Sequence, residues 1–233
     1  MAAGTYKHTM KIGTLPSFSV EKRFTDLDTD KYFQYRGCKI NTMKLAFKTE
    51  GPIDFSVSIM GVGENVAAST MCSSPSPALD TSSGIFDNFS AVITDKNGTS
   101  IGDITALEFT INNDLDGSTY VIDGTGRRKA MPAGIAAVTG SMTVLFMDTT
   151  LYDLAVAYTE SSVKVVCTRG TGDGTANNEK LTFYLNELIY KQQAPVVEGP
   201  QGVLVELPFE AYYSDDSDAS ALMIEELSTR AYY

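Results

Sequence analysis

The sequence predicts an all-β fold: a β-sandwich or partly open barrel of antiparallel strands with one short flanking α-helix. Short runs in which apolar and polar residues alternate recur along the 233 residues, and this period of two is typical of half-buried strands. Glycine, serine, threonine, asparagine and aspartate separate the runs, as expected where many turns join short strands. Helical spacing of apolar residues appears in the stretch LYDLAVAY, within residues 148–161. Many strands with one helix favour two packed layers of sheet.

The first pair of alternating runs lies within residues 43–59. Met43, Leu45 and Phe47 alternate with lysine and alanine, and a Gly-Pro pair at residues 51–52 ends the run. Apolar residues then occupy every second position from Ile53 to Ile59, and the positions between them are Asp54, Ser56 and Ser58. Alternate side chains of a strand point to opposite faces of a sheet, so the pattern predicts a hairpin with one apolar and one wet face.

A second pair of runs spans residues 107–111 and 138–146. Its apolar positions again alternate with polar ones, which are Glu108, Thr110, Thr139, Ser141 and Thr143. Both pairs follow a plan of strand, glycine-bearing connection and strand, and we interpret residues 32–146 as a duplicated hairpin. The alternative is that any two hairpins look alike.

Domain organisation is predicted to be a single β domain over residues 1–233. It divides into an N-terminal arm (1–31), the duplicated hairpins (32–146), the helix (148–161) and C-terminal strands (162–233). Residues 61–86 are rich in serine, proline and alanine without a period, and they predict a long loop inside the hairpin region. An Asn-Gly pair at residues 97–98 predicts a tight hairpin turn.

Charge and cysteine content narrow the functional classes. The net charge of −11 argues against a protein that binds nucleic acid by neutralising phosphates, because that task needs clustered lysine and arginine. The three cysteines, Cys38, Cys72 and Cys167, are an odd number without metal-ligand spacing, which favours a reducing compartment over a disulfide scaffold. The first residues lack the apolar segment of a signal peptide, and no apolar run approaches the roughly 18 residues of a membrane span.

Motifs for catalysis, metals or phosphate are weak. Residues 98–102 (GTSIG) match a nucleophile-elbow pattern, but the single histidine, His8, lies upstream and a strand is expected to follow. Asp26, Asp28 and Asp30 begin like a calcium loop that lacks its later glycine and glutamate. In the basic, glycine-rich stretch at residues 124–129, no serine or threonine follows the lysine as a phosphate loop requires, and no helix is indicated after it. We therefore predict no enzyme activity and no cofactor or metal.

Several longer segments resemble the tail tube proteins, or major tail proteins, of long-tailed bacteriophages. They are residues 15–26 (LPSFSVEKRFTD), 32–61 (YFQYRGCKINTMKLAFKTEGPIDFSVSIMG), 136–160 (AAVTGSMTVLFMDTTLYDLAVAYTE) and 181–214 (LTFYLNELIYKQQAPVVEGPQGVLVELPFEAYYS). These segments are packing patterns, and their order and spacing carry the likeness. Family members often have another β segment before the first of them. The resemblance thus implies either a shorter version or part of a longer protein.

The resemblance implies a structural virion protein that assembles into hexameric rings. Stacked rings form a hollow tube through which DNA passes, so the implied partners are further copies of the chain, a tape measure protein and other tail proteins. DNA is a transient occupant of the lumen, and no membrane is involved. The implied location is the virion tail, assembled in the bacterial cytoplasm. Non-contractile tails, contractile tails and phage-derived particles all fit the resemblance.

Two sets of residues are candidates for roles in such a tube. A passage for a polyanion favours small hydroxyl side chains and negative potential, because phosphate contacts would retain the DNA. The candidate lumen-facing residues are Asp54, Ser56, Ser58, Glu108, Thr110, Thr139, Ser141 and Thr143. Lys44 and Lys48 share this face, where they either pair with Asp54 and Glu108 or indicate that the face points elsewhere. The basic triplet Arg127, Arg128 and Lys129 is a candidate contact between subunits.

A different class of function is a secreted β-sandwich adhesin or carbohydrate-binding module. It would explain the strands equally well. Such a protein is expected to carry a signal peptide and exposed aromatic platforms, whereas this sequence contains no tryptophan.

Overall fold

The computed structural model describes residues 4–72, 86, 90–122, 124, 126–147, 149–194, 203–215 and 218–231. Its described elements are, in chain order, β1 (Tyr6–Lys11), β2 (Phe18–Phe24), β3 (Lys31–Lys48), β4 (Asp54–Met60), β5 (Gly63–Ala67), β6 (Ala91–Thr94), β7 (Ile104–Asn112), β8 (Ala137–Leu145), α1 (Thr150–Val156), β9 (Ser161–Thr168), β10 (Lys180–Tyr190), β11 (Leu204–Ala211) and β12 (Met223–Ser228). All strand pairs are antiparallel.

Two layers of sheet form a sandwich, which confirms the predicted fold class. One layer has the order β4-β3-β7-β8-β11, and the other has the order β1-β12-β10-β9-β6. Strand β10 joins them, because Leu188–Tyr190 pair with β11 while its first half pairs with β12 and β9. The sheet does not close into a barrel.

The core lies between the layers and is built from the apolar positions of the alternating runs. Phe47 and Phe109 stack in the first layer, and Phe183 from the second layer meets both rings edge to face at 5.9 and 5.8 Å between centroids. Edge-to-face geometry places a positive ring edge on a negative ring face and adds to the gain from burial. Burying one such side chain is worth about 1.5–3 kcal/mol, so this aromatic cluster fixes how the layers stack.

Strand β3 is long enough to belong to two sheets. Its second half lies between β4 and β7 in the main layer, whereas residues 31–38 extend beyond that layer and pair with β2 on one side and β5 on the other. We call this three-stranded part of β2, β5 and the first half of β3 the extension. A polar network holds it: Gln34 is buried, and its amide donates to Glu21 at 3.1 Å and to the Ser69 carbonyl at 3.1 Å.

The structure differs from the predicted organisation in three segments. The predicted loop at 61–86 contains strand β5. Pairing with β3 orders this five-residue segment, whose alternation is too short to be recognised in the sequence. Residues 73–85 of the predicted loop lie outside the described residues. The N-terminal arm likewise contains β1 and β2. The helix ends at Val156 rather than near residue 161, because Tyr158 adopts a left-handed backbone with φ of 50°. The Asn-Gly turn is confirmed, with Gly98 at φ of 88° and Thr94 paired to Ser100.

Candidate functional surfaces

The predicted lumen-facing residues all lie on one face of the first layer. Strand register places them in rows that cross five strands. One row follows the order Ser56, Lys44, Thr110, Thr139 and Glu210. The next row follows the order Asp54, Ala46, Glu108, Ser141 and Pro208. Ser58 and Thr143 lie in the flanking rows. We call this surface the polar face.

The polar face exists because the opposite side of the same strands is buried. Leu107, Phe109, Val138 and Met142 alternate with its residues and are at most 1% exposed. Since side chains of a strand alternate between faces, burial of the apolar set forces the hydroxyls and carboxylates outward. Sequence reasoning did not assign β11 to this face. The alternation of LVELPFEA, with Glu206 and Glu210 at polar positions, was the available signal.

Lysines at the polar face are paired with carboxylates. The amine of Lys44 lies 2.8 Å from Glu108, that of Lys48 lies 2.6 Å from Asp54, and Lys191 reaches Glu210 at 3.1 Å. The hydrogen bond and charge of Asp54 raise the pKa of Lys48, which keeps that amine protonated. These pairs are exposed and contribute little to stability, but they neutralise the lysines locally. Glu206 adds a further negative charge to the face.

Strand β4 differs from its neighbours on the apolar side. Phe55 is 60% exposed and Ile59 is 46% exposed, although register places Phe55 beside the buried Leu45. Within the described residues only β3 pairs with β4. This strand therefore presents both an apolar face and a backbone edge, and we call it the overhang. Such an edge is a template for pairing with another chain.

The described part of the connection between β7 and β8, residues 113–122, 124 and 126–134, folds into an irregular hairpin, which we call the arm. Its two sides pair at Leu115 with Ala133 and at Tyr120 with Arg128. The buried Asn113 ties its base to β3, because its side-chain amide donates to the Ile40 carbonyl at 3.1 Å. Beyond the Tyr120–Arg128 pair, Ile122 is fully exposed.

The basic triplet divides between two roles. Arg128 serves the arm itself: its guanidinium donates to the carbonyls of Gly117 at 2.6 Å and Gly61 at 2.7 Å, and it lies 5.0 Å from the Tyr120 ring centroid. That assignment differs from the predicted contact with a neighbouring subunit. Arg127 and Lys129 are exposed on the arm surface, and for them the predicted contact stays a proposal.

The motifs considered for chemistry fall in ordinary structural positions. Ser100 follows a hairpin turn and precedes β7, so no helix follows it as a nucleophile elbow requires. Asp30 pairs with Arg23, and among the described residues no group of three His, Cys, Asp or Glu side chains is arranged to hold a metal ion. In the same part of the chain, the α-helix is too short to span a bilayer.

Sequence comparison now identifies the family. A family model described as phage tail tube protein matches residues 2–211. The chain belongs to this family. The match confirms the resemblance inferred from the sequence, and among curated proteins none matches the chain. Membership in the phage tail tube family makes the chain a structural component of a phage tail and favours a non-catalytic role.

Proposed function

We propose that the chain is the repeating subunit of a phage tail tube, in which copies assemble into stacked hexameric rings around a channel for DNA. The observation that carries this proposal is the polar face, a continuous surface of hydroxyls and carboxylates in register across five strands. On this proposal, that face lines the channel and the opposite, apolar side of each strand builds the wall.

The electrostatics of the polar face suit passage of a polyanion. DNA carries one phosphate charge per roughly 1.7 Å of helix axis, and proteins that hold it do so by neutralising those charges with lysine and arginine. Here Lys44 and Lys48 are already paired with Glu108 and Asp54. Unpaired cations would bind phosphate and slow the DNA, whereas paired charges with excess carboxylate leave it free to slide.

Assembly follows from the overhang. An exposed apolar strand that, within the described residues, pairs on one side only is a liability in a monomer and an interface in an oligomer. A contact between this surface and a different surface of the next copy is heterologous, and heterologous contacts close into rings when the rotation permits. Phe55, Val57 and Ile59 would then be buried between subunits.

The remaining partners follow from the same role. A tape measure protein would occupy the channel before DNA does, and other tail proteins would cap the ends of the tube. Assembly in the bacterial cytoplasm is compatible with the free cysteines, since Cys38 and Cys167 are buried as thiols. DNA is proposed as a transient occupant.

The test is assembly of the purified chain. We expect sedimentation to show a concentration-dependent shift from monomer to large particles, and negative-stain electron microscopy to show rings or tubes of uniform diameter with sixfold end views. A chain that stays monomeric at high concentration, also when other tail proteins are added, would contradict the proposal. Rings of another symmetry would contradict the sixfold stoichiometry but not the role as a tube subunit.

A further inference from the structure

We infer that the arm of one copy binds the acidic turn of the extension of a second copy, through Arg127 and Lys129 on the arm and Asp26 and Asp28 on the turn. The inference rests on the proposed function, since it names one of the contacts by which copies assemble. It goes further by assigning both partner surfaces and the type of interaction.

The basic side of this contact lies where the arm meets the extension. Arg127 packs against Gly63 of β5, and together with Arg36 it lines a cleft of about 380 Å³ that Gln34, Glu64 and Asn65 also border. Arg36 already donates to Gln34 at 3.3 Å, so its guanidinium is held at the cleft wall. Among the residues that line this cleft Glu64 is the carboxylate, and Lys129 is exposed on the arm two residues beyond Arg127.

The acidic side is the turn between β2 and β3. Asp26 and Asp28 are exposed there, whereas Asp30 is paired with Arg23. Leu27 lies between them and is 51% exposed, and the neighbouring Phe24 is 37% exposed. Two carboxylates and two apolar side chains therefore occupy the end of the extension.

Both surfaces also carry exposed apolar side chains beside their charged residues. On the arm, Tyr120 is 57% exposed, Val121 is 40% exposed and Ile122 is fully exposed. A contact that covered these residues with Leu27 and Phe24 would remove apolar area from water at the centre and place the ion pairs at the rim. This is the usual anatomy of a specific interface.

The charged residues of the two surfaces lie at opposite ends of the extension, since Arg127 packs at Gly63. Arg36 lies at the base of the extension, and the turn begins beyond Lys31 at its far end. Five residues of strand span about 17 Å, which is far beyond the reach of an ion pair. A basic patch on the arm at the base of the extension and an acidic patch at the far end of the extension favour a head-to-tail contact between copies, and such a contact repeats along an assembly.

The experiment reverses the charges on each side separately. One variant carries Arg127→Glu and Lys129→Glu, and the other carries Asp26→Lys and Asp28→Lys. We expect each alone to raise the critical concentration for assembly at least tenfold while far-UV circular dichroism stays that of the wild type. Charge-conserving controls, Arg127→Lys with Lys129→Arg and Asp26→Glu with Asp28→Glu, are expected to assemble like the wild type.

Rescue gives the decisive result. In an equimolar mixture of the two reversed variants, every contact between one variant and the other has complementary charges. In the variant with all four reversals, every contact between identical copies has complementary charges. Both are expected to assemble near the wild-type concentration. The inference would be overturned if the reversed variants assemble like the wild type, or if the folded variant with all four reversals does not regain assembly. In either case, tubes formed by the wild-type chain would leave the proposed function intact.

A cross-linking experiment keeps the inference testable if a reversed variant fails to fold. In a Cys72→Ser background, Asp28→Cys and Lys129→Cys in one chain should give a ladder of linked copies with a short bis-maleimide, and only after assembly. Lys129→Cys alone is the control and should give no ladder. Assembled tubes that yield no ladder from the double variant would overturn the contact. A wild-type chain that never assembles would instead refute the proposed function.

Discussion

The hairpins β3–β4 and β7–β8 carry the same alternation of apolar and polar residues, yet they differ in what covers their apolar side. Phe109 of β7 and Val138 of β8 are 0% exposed, because β10 and its neighbours pack beneath them. Phe55 and Ile59 of β4 remain 60% and 46% exposed. Both hairpins contribute polar residues to the polar face, so the difference lies entirely on the other side of the sheet.

This contrast shows that alternation determines which face a residue occupies but not how deeply it is buried. Depth depends on whether a second layer extends below the strand, and that is a property of the whole fold. Where the layer ends, an apolar strand keeps a favourable free energy of burial that only another molecule can realise. The overhang is therefore the part of the subunit whose sequence is best explained by assembly.

The largest expected effect is in the covered hairpin. Phe109→Ala should lower the free energy of unfolding of the monomer by about 3–5 kcal/mol, because the ring is fully buried between Phe47 and Phe183. Phe55→Ala should change it by less than about 0.5 kcal/mol, since most of that ring is already in water. Urea unfolding measures both. Equal losses in the two variants would show that the overhang is covered within the monomer.

A smaller loss is expected from Gly140→Ala, also in the covered hairpin. A Cβ at this position would meet the Glu108 carbonyl oxygen and the ring of the buried Phe209. Neither backbone nor a packed ring yields readily, so we expect a cost of about 1–3 kcal/mol in thermal or urea unfolding. Ser141→Ala, one residue along and on the polar face, is the matched control and should be nearly neutral.

Thiol labelling sharpens the comparison under native conditions. In a Cys72→Ser chain, Ile59→Cys should react with a small maleimide in the monomer and become protected on the order of tenfold after assembly. Cys167 serves as the internal control: burial raises its pKa to about 12 and it is 0% exposed, so it stays protonated and unreactive through pH 9. Unchanged labelling of residue 59 in assembled particles would remove the overhang from the interface.

The smallest expected effect concerns the charge pairs on the polar face. Lys44→Gln removes the partner of Glu108, and the pair is about half exposed on both sides. We expect less than about 1 kcal/mol change in unfolding free energy and a weaker dependence of stability on salt. Glu108→Gln is the matched control, because it removes the negative charge of the same pair, and the same small change is expected. A loss above about 2 kcal/mol would mean that the pair supports the fold of the hairpin.

Much of the polar face followed from the sequence, because a period of two fixes the face of Ser56, Thr110 or Thr139 without knowledge of the fold. The rows did not follow: that Thr110 lies between Lys44 and Thr139 depends on β3 pairing with β7, a contact between residues distant in sequence. Strand β5 was missed because pairing with β3, rather than its own pattern, orders it. The structural role of Arg128 was hidden for the same reason, since its acceptors Gly61 and Gly117 come from separate segments.

The central claim is that the polar face becomes the inner wall of an assembled tube. Thr139→Cys on the polar face and Val92→Cys on the outer layer, each exposed and each in a Cys72→Ser chain, can be labelled with a maleimide coupled to a large globular carrier. The account predicts that both positions react in the monomer, and that assembly blocks position 139 but not position 92. Carrier labelling of position 139 at the monomer rate in intact tubes would contradict it.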